Sequence, residues 1–168
     1  PYIGERFEGG LGRAGMVEGL GMLLGSFLAT LLLAPRMLRP LSIAALVVMV
    51  VANALTASSS GNAVLLLRAL NGAASGVILW VLVGMLTRAS DGARLFAIYV
   101  TAQAILATAL SWAMSLLVLP QFGIAGGYWL IAGLSLLLLV PAALFLPRAY
   151  VPLAAGRILL PTALGLAG

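Results

Sequence analysis

Two side chains of opposite charge stand where the rest of the chain is built for hydrocarbon. Arg68 interrupts LLLRALNGAASG, residues 65–76, and Glu18 interrupts the first apolar run. Asn71 follows Arg68 at a spacing that puts both on one face of a helix. A carboxylate at this depth can pair with the arginine or carry a proton for coupled transport. Two blander readings compete. Arg68 can be an interfacial anchor that snorkels to the headgroups. Glu18 can be a solvated acid at a helix start, where the macrodipole favours it. A second polar stripe runs through Thr101, Thr108 and Ser115, seven residues apart, with Ser111 and Trp112 nearby. It can line a substrate path, or its hydroxyls can bridge packed helices at only about 0.6 kcal/mol each.

Little other chemistry is open to this chain. It contains no Cys and no His, which removes disulfides, Cys/His metal sites, thiol nucleophiles and His-dependent triads. The acids are Glu5, Glu8, Glu18 and Asp91, at no spacing that suggests paired acid/base work. No GxxxxGK[ST] phosphate loop is present. No enzymatic activity and no cofactor or metal are expected. The net charge of +5 does not point to nucleic acid, because the basic residues are all arginines scattered singly between apolar runs.

The elements that must position these groups are membrane spans. Of 168 residues, 63% are hydrophobic and 8% charged, whereas a soluble domain carries roughly 25% charged residues. The chain cannot cover a water-facing surface, so the lipid bilayer is its expected surrounding. Five runs reach or approach the about 20 apolar residues that a spanning helix needs: 14–33, 41–57, 63–86, 95–119 and 126–146. The linkers between them, APRMLRP, SSSGN, TRASDGAR and PQFGIA, carry residues that stop helices. Barrel strands would be near ten residues long and strictly alternating, which these runs are not. The expected fold is an all-α, polytopic transmembrane bundle of five spans.

Arginine placement orients the bundle. Arg36 and Arg39 lie in the first linker, Arg88 and Arg94 with Asp91 in the third, and Arg148 and Arg157 after the fifth run. The second and fourth linkers carry no charge. Basic loops stay in the cytosol, so 35–40, 87–94 and 147 onward are expected inside, and 58–62 and 120–125 outside. Residues 1–13 fall outside by parity, and 147–168 read as a cytoplasmic linker towards a next helix. The abrupt start at Pro1 is read as the end of a piece that lacks one helix before it. Arg68 then lies about one and a half turns below the outer surface, roughly 8 Å.

Small residues follow Arg68. Gly72, Gly76 and Gly84 stand at multiples of four, with Trp80 between them, and Gly15, Gly19, Gly21 and Gly25 mark the first run. Such spacing lets helix backbones approach closely. Gly72, Gly76, Gly84, Gly19 and Gly25 are the expected packing positions. Arg68, Asn71, Glu18, Thr101, Thr108 and Trp112 are the candidates for a substrate path or coupling. Asn53 and Pro141 read as structural, and Tyr128 and Trp129 as an interfacial aromatic belt.

The stretch Arg68-Ala-Leu-Asn-Gly72-Ala-Ala-Ser-Gly76 resembles the RxxxGxxxG motif in the fourth helix of the major facilitator superfamily. With one helix missing, the third run here becomes the fourth, and its loops lie on the sides that family requires. The resemblance implies helices two to six of a six-helix half, within a twelve-helix secondary transporter with a central substrate site. A small-molecule substrate, with a proton as any coupling ion, and a bacterial inner membrane are the implied partners and location, together with the first helix and C-terminal half of the same protein. A non-transporting membrane scaffold or assembly subunit is the alternative. Two departures stand out. The family's GxxxDRxGRR loop reads LLLAPRMLRP here, keeping basic Arg36 and Arg39 but neither the aspartate nor the loop glycine. Leu95–Leu119 contains no glycine and no internal proline, which argues against the drug–proton antiporter branch.

Reporter fusions test the orientation. A fusion within 58–62 should read as exported and one within 87–94 as cytosolic; the reverse pattern overturns the assignment.

Overall fold

The computed structural model describes residues 10–33 and 37–150. Arg36, Arg157, Glu5, Arg6 and Glu8 lie outside them. The described residues are helical almost throughout and contain no strand. In order they form α1 (Gly10–Leu32), α2 (Leu38–Ser58), α3 (Asn62–Leu86), α4 (Gly92–Ala113), a π-helical turn (Met114–Val118) and α5 (Leu119–Phe145). Four helical stretches are long and apolar enough to cross a membrane, namely Gly12–Leu32, Leu38–Ser58, Asn62–Leu86 and Gly92–Phe145. They fit a multi-pass membrane protein. Leucines and phenylalanines crowd the outer surfaces, with Leu23, Phe27, Leu31, Leu137 and Phe145 all exposed. That surface is stable against acyl chains and would not be in water.

Helix starts extend beyond the apolar runs. α2 begins at Leu38 and carries Arg39 and Pro40 in its first turn. Proline is tolerated there because the first N–H groups of a helix have no partner within it. α4 likewise begins at Gly92 and takes Arg94 into its first turn. Hydropathy marks the oily middle of a span, whereas the backbone hydrogen bonds continue into the interface.

The linker expected at 120–125 is the largest difference. No non-helical loop separates α4 from α5; the π turn runs directly into α5. The break is confined to Gly123, with φ 63° and ψ −166°, a conformation open in practice only to glycine. An uninterrupted helix from Gly92 to Phe145 would reach about 80 Å, far beyond the roughly 30 Å of a hydrocarbon core. The glycine break redirects the chain instead. α5 then runs antiparallel along α2, with Tyr128 beside Arg68 near the α2–α3 turn and Leu146 accepting a hydrogen bond from Arg39 Nε, 2.7 Å, at the start of α2. Pro141 sits inside α5 without interrupting its helical geometry.

The tightest contact joins α1 and α3, which run in the same direction. Gly21 and Gly25 of α1 lie against the backbone of Ala69 and Ala73. Gly72 and Gly76 of α3 lie against the backbone of Glu18, Met22 and Ser26. A Cβ on any of the four would collide with main-chain atoms of the other helix. Two small-xxx-small pairs thus interlock, and dispersion between backbones replaces side-chain packing. Ser26 Oγ bridges the same crossing, its single proton shared between Gly76 O, 3.1 Å, and its own helix's Met22 O, 2.9 Å. Gly19 and Gly84 are not part of it. Nothing lies within 4 Å of a Cβ built on Gly19, which faces away from α3, and the space over Gly84 holds the Tyr150 side chain.

α4 differs from the rest. It has no buried residue, and its side chains from Ala93 to Ile98 and from Val100 to Ala109 are all exposed.

Gly25→Ala should destabilise the detergent-solubilised protein by about 1–3 kcal/mol through overpacking. Gly133→Ala meets open space and should leave stability unchanged or raise it by up to about 1 kcal/mol. Denaturant titration followed by circular dichroism measures both.

Candidate functional site

Arg68 is 3% exposed, on the second turn of α3. Leaving a guanidinium alone in hydrocarbon costs roughly 2.5–3.5 kcal/mol even on the mildest scales. The surrounding helices remove most of that cost. Its Nη2 donates to Asn53 Oδ1 at 2.8 Å and to Thr56 Oγ1 at 3.0 Å, both on α2. Its Nη1 lies 3.5 Å from Glu18 Oε2 on α1. Its Cζ stands 4.7 Å from the centre of the Tyr128 ring on α5, a cation–π contact. One arginine thus gathers α1, α2 and α5 onto α3.

The partners close into a ring. Asn53 Nδ2 donates to Asn71 Oδ1 at 2.9 Å, and Asn71 Nδ2 donates to Glu18 Oε1 at 2.5 Å. The path therefore runs Arg68, Asn53, Asn71, Glu18 and back to Arg68. Its direction follows from the two charged members. A guanidinium can only donate, so Asn53 turns its oxygen to Arg68 and its NH2 to Asn71. Asn71 then presents its oxygen to Asn53 and its NH2 to Glu18, which as a carboxylate can only accept. Thr56 completes its valence by donating to Ala52 O at 2.6 Å, and Asn53 Nδ2 also reaches Met49 O at 2.8 Å.

Two features of the ring are unequal. Asn53, Thr56 and Asn71 are buried with Arg68, but the Glu18 side chain is 36% exposed. The acid is the one member that something outside the described bundle can reach. In addition, Arg68 Nε is buried with no acceptor among the described residues. The site thus offers a reachable carboxylate and an unsatisfied donor within one network. It holds no group of residues suited to a metal among those described.

The other candidates fall elsewhere. Thr101, Thr108 and Trp112 all lie exposed on α4 and reach none of the ring. Thr108 Oγ1 bonds back to Ala104 O, 2.9 Å, within its own helix. Their spacing of seven and four residues puts them on one face of α4, but no described helix covers that face. At the opposite end of the bundle, Arg39 holds Leu146 O, Arg88 Nη1 donates to Gly84 O at 2.8 Å, and Asp91 and Arg94 are exposed.

Three members of the site were not singled out by sequence reasoning. Asn53 read as structural and Tyr128 as interfacial, and Thr56 drew no attention. A signal existed for two of them. Asn53 and Thr56 are an i, i+3 polar pair in the second half of a largely apolar helix, and an intramembrane polar side chain implies a partner. Nothing local marks Tyr128, which meets Arg68 only because α5 packs back along α2.

No family model matches the chain, and no curated protein or solved structure matches it.

The unequal exposure of the ion pair gives an asymmetric expectation. Glu18→Leu leaves a buried arginine without its counter-charge and should cost about 3–5 kcal/mol. Arg68→Leu leaves a partly exposed acid that can rehydrate, and should cost less. The double variant should cost less than the sum of the singles. Unfolding titrations of the three variants give the coupling energy; strict additivity would mean that the two residues do not interact.

Proposed function

We propose that the chain is part of a secondary transporter that moves a small solute by alternating access, and that it forms five of the six helices of a major-facilitator-like half. The observation that carries the reading is the closed polar ring around Arg68. Ionisable residues within membrane helices are costly, and they mark substrate or ion pathways by default. A transporter needs such a cluster, because a group that exchanges a proton or solute must be buried yet addressable.

Five crossings are favoured over four by the course of the chain after α3. α4 starts at Gly92, against Leu86 O at the end of α3. Tyr128 is at the opposite end beside Arg68, and Leu146 is back at the first end beside Arg39. The stretch 92–145 therefore leaves one end of the bundle and returns to it, and Gly123 is the point of return. The alternation of arginine-bearing and uncharged linkers agrees with that count. The exposed α4 belongs in this reading against helices outside the described residues, where its threonine stripe can face a path.

The coupling step follows from the ring. Uptake of a proton by Glu18 removes its charge and with it the ionic hold on Arg68. Arg68 keeps Asn53 and Thr56, but its Nη1 and Nε are then free to meet an anionic or polar solute. Release of the proton restores the pair. The ionised Glu18 carboxylate and the solute thus compete for one arginine, so that proton and solute are taken up together. The interlocked glycines make α1 and α3 a stiff pair that can move as one body. The all-round exposure of α4 also suits the alternative, an assembly subunit that recruits a partner helix.

Transport by the intact protein in proteoliposomes decides between them. Arg68→Glu and Glu18→Arg should each abolish movement of its solute, and the exchanged pair should restore part of it. If the exchanged pair stays as inactive as the singles, the coupling role of the ion pair is lost. If the unaltered protein moves no solute from a broad panel with or without a pH gradient, the assembly reading takes over.

A further inference from the structure

We propose that residues 146–150 form a latch at the arginine-rich end of the bundle, with Tyr150 as a wedge seated on Gly84 that narrows an open cleft between α1 and α3. The proposal borrows its purpose from the alternating-access reading, but its geometry stands apart from the Arg68 site.

α1 and α3 are held together at the glycine crossing and separate beyond it. Past Ser26 and Gly76 they flank an open cleft of about 560 Å³, lined by Ser26, Thr30, Leu79, Trp80 and Gly84 among others. Tyr150 supplies the remaining wall, and it alone comes from beyond α5. Its hydroxyl lies 3.1 Å from both Trp80 O and Val81 O, and its single proton is shared between them. Its ring meets Trp80 edge-on at 5.8 Å, and the Arg88 guanidinium sits 4.2 Å from its centre.

Two further facts distinguish a latch from incidental packing. The first is a fitted seat. Gly84 is the position over which the ring lies, and a Cβ there would collide with the hydroxyl and the ring. The Gly84 spacing continues the glycine ridge, yet the space it leaves is filled by Tyr150 and not by α1. The second is that the segment is tied at its root. Leu146 O accepts from Arg39 Nε at 2.7 Å, and Arg148 O accepts from Leu38 N at 3.0 Å. Both donors belong to the start of α2, so the strap is anchored on α2 and α5 and inserted into α3. Relative motion of those helices must withdraw Tyr150 or be held by it.

The insertion is held by weak, reversible contacts. Burial raises the Tyr150 pKa above its ordinary value of 10.0, with Arg88 opposing, so the phenol stays a neutral donor at physiological pH. One shared hydrogen bond and two ring contacts are strong enough to populate a closed state and weak enough to release.

The protein has no cysteine, so a single Ser26→Cys probe in the cleft can be labelled cleanly. The intact protein in lipid nanodiscs is treated with a hydrophilic maleimide, which reaches both faces and needs no solute. Tyr150→Phe should speed labelling of that probe by about five-fold, the factor one net hydrogen bond is worth. Gly84→Ala should speed it as well, by displacing a tyrosine that is otherwise intact. A second probe, Ser135→Cys on α5, should keep its rate in both backgrounds. An unchanged rate at Ser26→Cys in the Tyr150→Phe background overturns the latch. Equal acceleration at Ser135→Cys also overturns it, because that would be general loosening. Faster labelling in a protein that moves no solute would keep the latch and sink only the transport reading.

Discussion

The bundle is organised by the need to neutralise one guanidinium in a medium that cannot solvate it. Every donor that Arg68 directs at a described neighbour ends on a different helix from its own. α2 supplies Asn53 and Thr56, α1 supplies Glu18, and α5 supplies the Tyr128 ring. In water such contacts would compete with solvent and count for little. In hydrocarbon the alternative to each is an unsatisfied polar group, so together they select one arrangement of the helices from many that would bury similar apolar area. Apolar burial does little to discriminate between helix pairings in a membrane, because lipid tails are as oily as leucine. The polar ring provides the discrimination.

The glycine crossing serves the ring. Glu18 reaches Arg68 and Asn71 because α1 lies almost backbone to backbone against α3, and Gly72 packs directly on the Glu18 main chain. A larger residue at position 72 would move the carboxylate away from its partners. Close approach and charge pairing are therefore one feature read at two scales. The same crossing determines where the helices part, and so where a cleft opens and where Tyr150 can enter it. The two polar regions, one at each end of α3, are joined by a rigid contact of small residues. That is the kind of element through which a change at one end can be carried to the other.

α4 stands outside this scheme. It contributes no buried residue and no member of the ring, although its threonines and Trp112 have the spacing of a functional face. Spacing alone identifies a face; it does not identify what the face meets. The same limit shows at Gly84 and Gly19, where a four-residue rhythm suggested helix packing. At Gly84 the space is taken by an aromatic ring from a distant segment, and at Gly19 it is open.

Much of the fold was legible because hydropathy is local and additive. A run of about 20 mostly apolar residues reads as a helix long enough to span whatever surrounds it, so the helices within 14–33, 41–57 and 63–86 could be placed from composition and linker chemistry alone. The shared face of Arg68 and Asn71 and the close-packing roles open to Gly72, Gly76 and Gly25 followed from helical geometry in the same way. The break at 120–125 was legible as a position but not as a form, since a single glycine torsion does the work expected of a loop. What only the tertiary structure decided was partnership. Asn53, Thr56 and Tyr128 meet Arg68 across 12 to 60 positions of sequence, counted from their residue numbers, and Tyr150 meets Gly84 across 66. No periodicity spans such separations. They are set by which helices lie side by side, and in a bilayer that choice is made by a few polar contacts and small residues whose effect exists only once the helices have met.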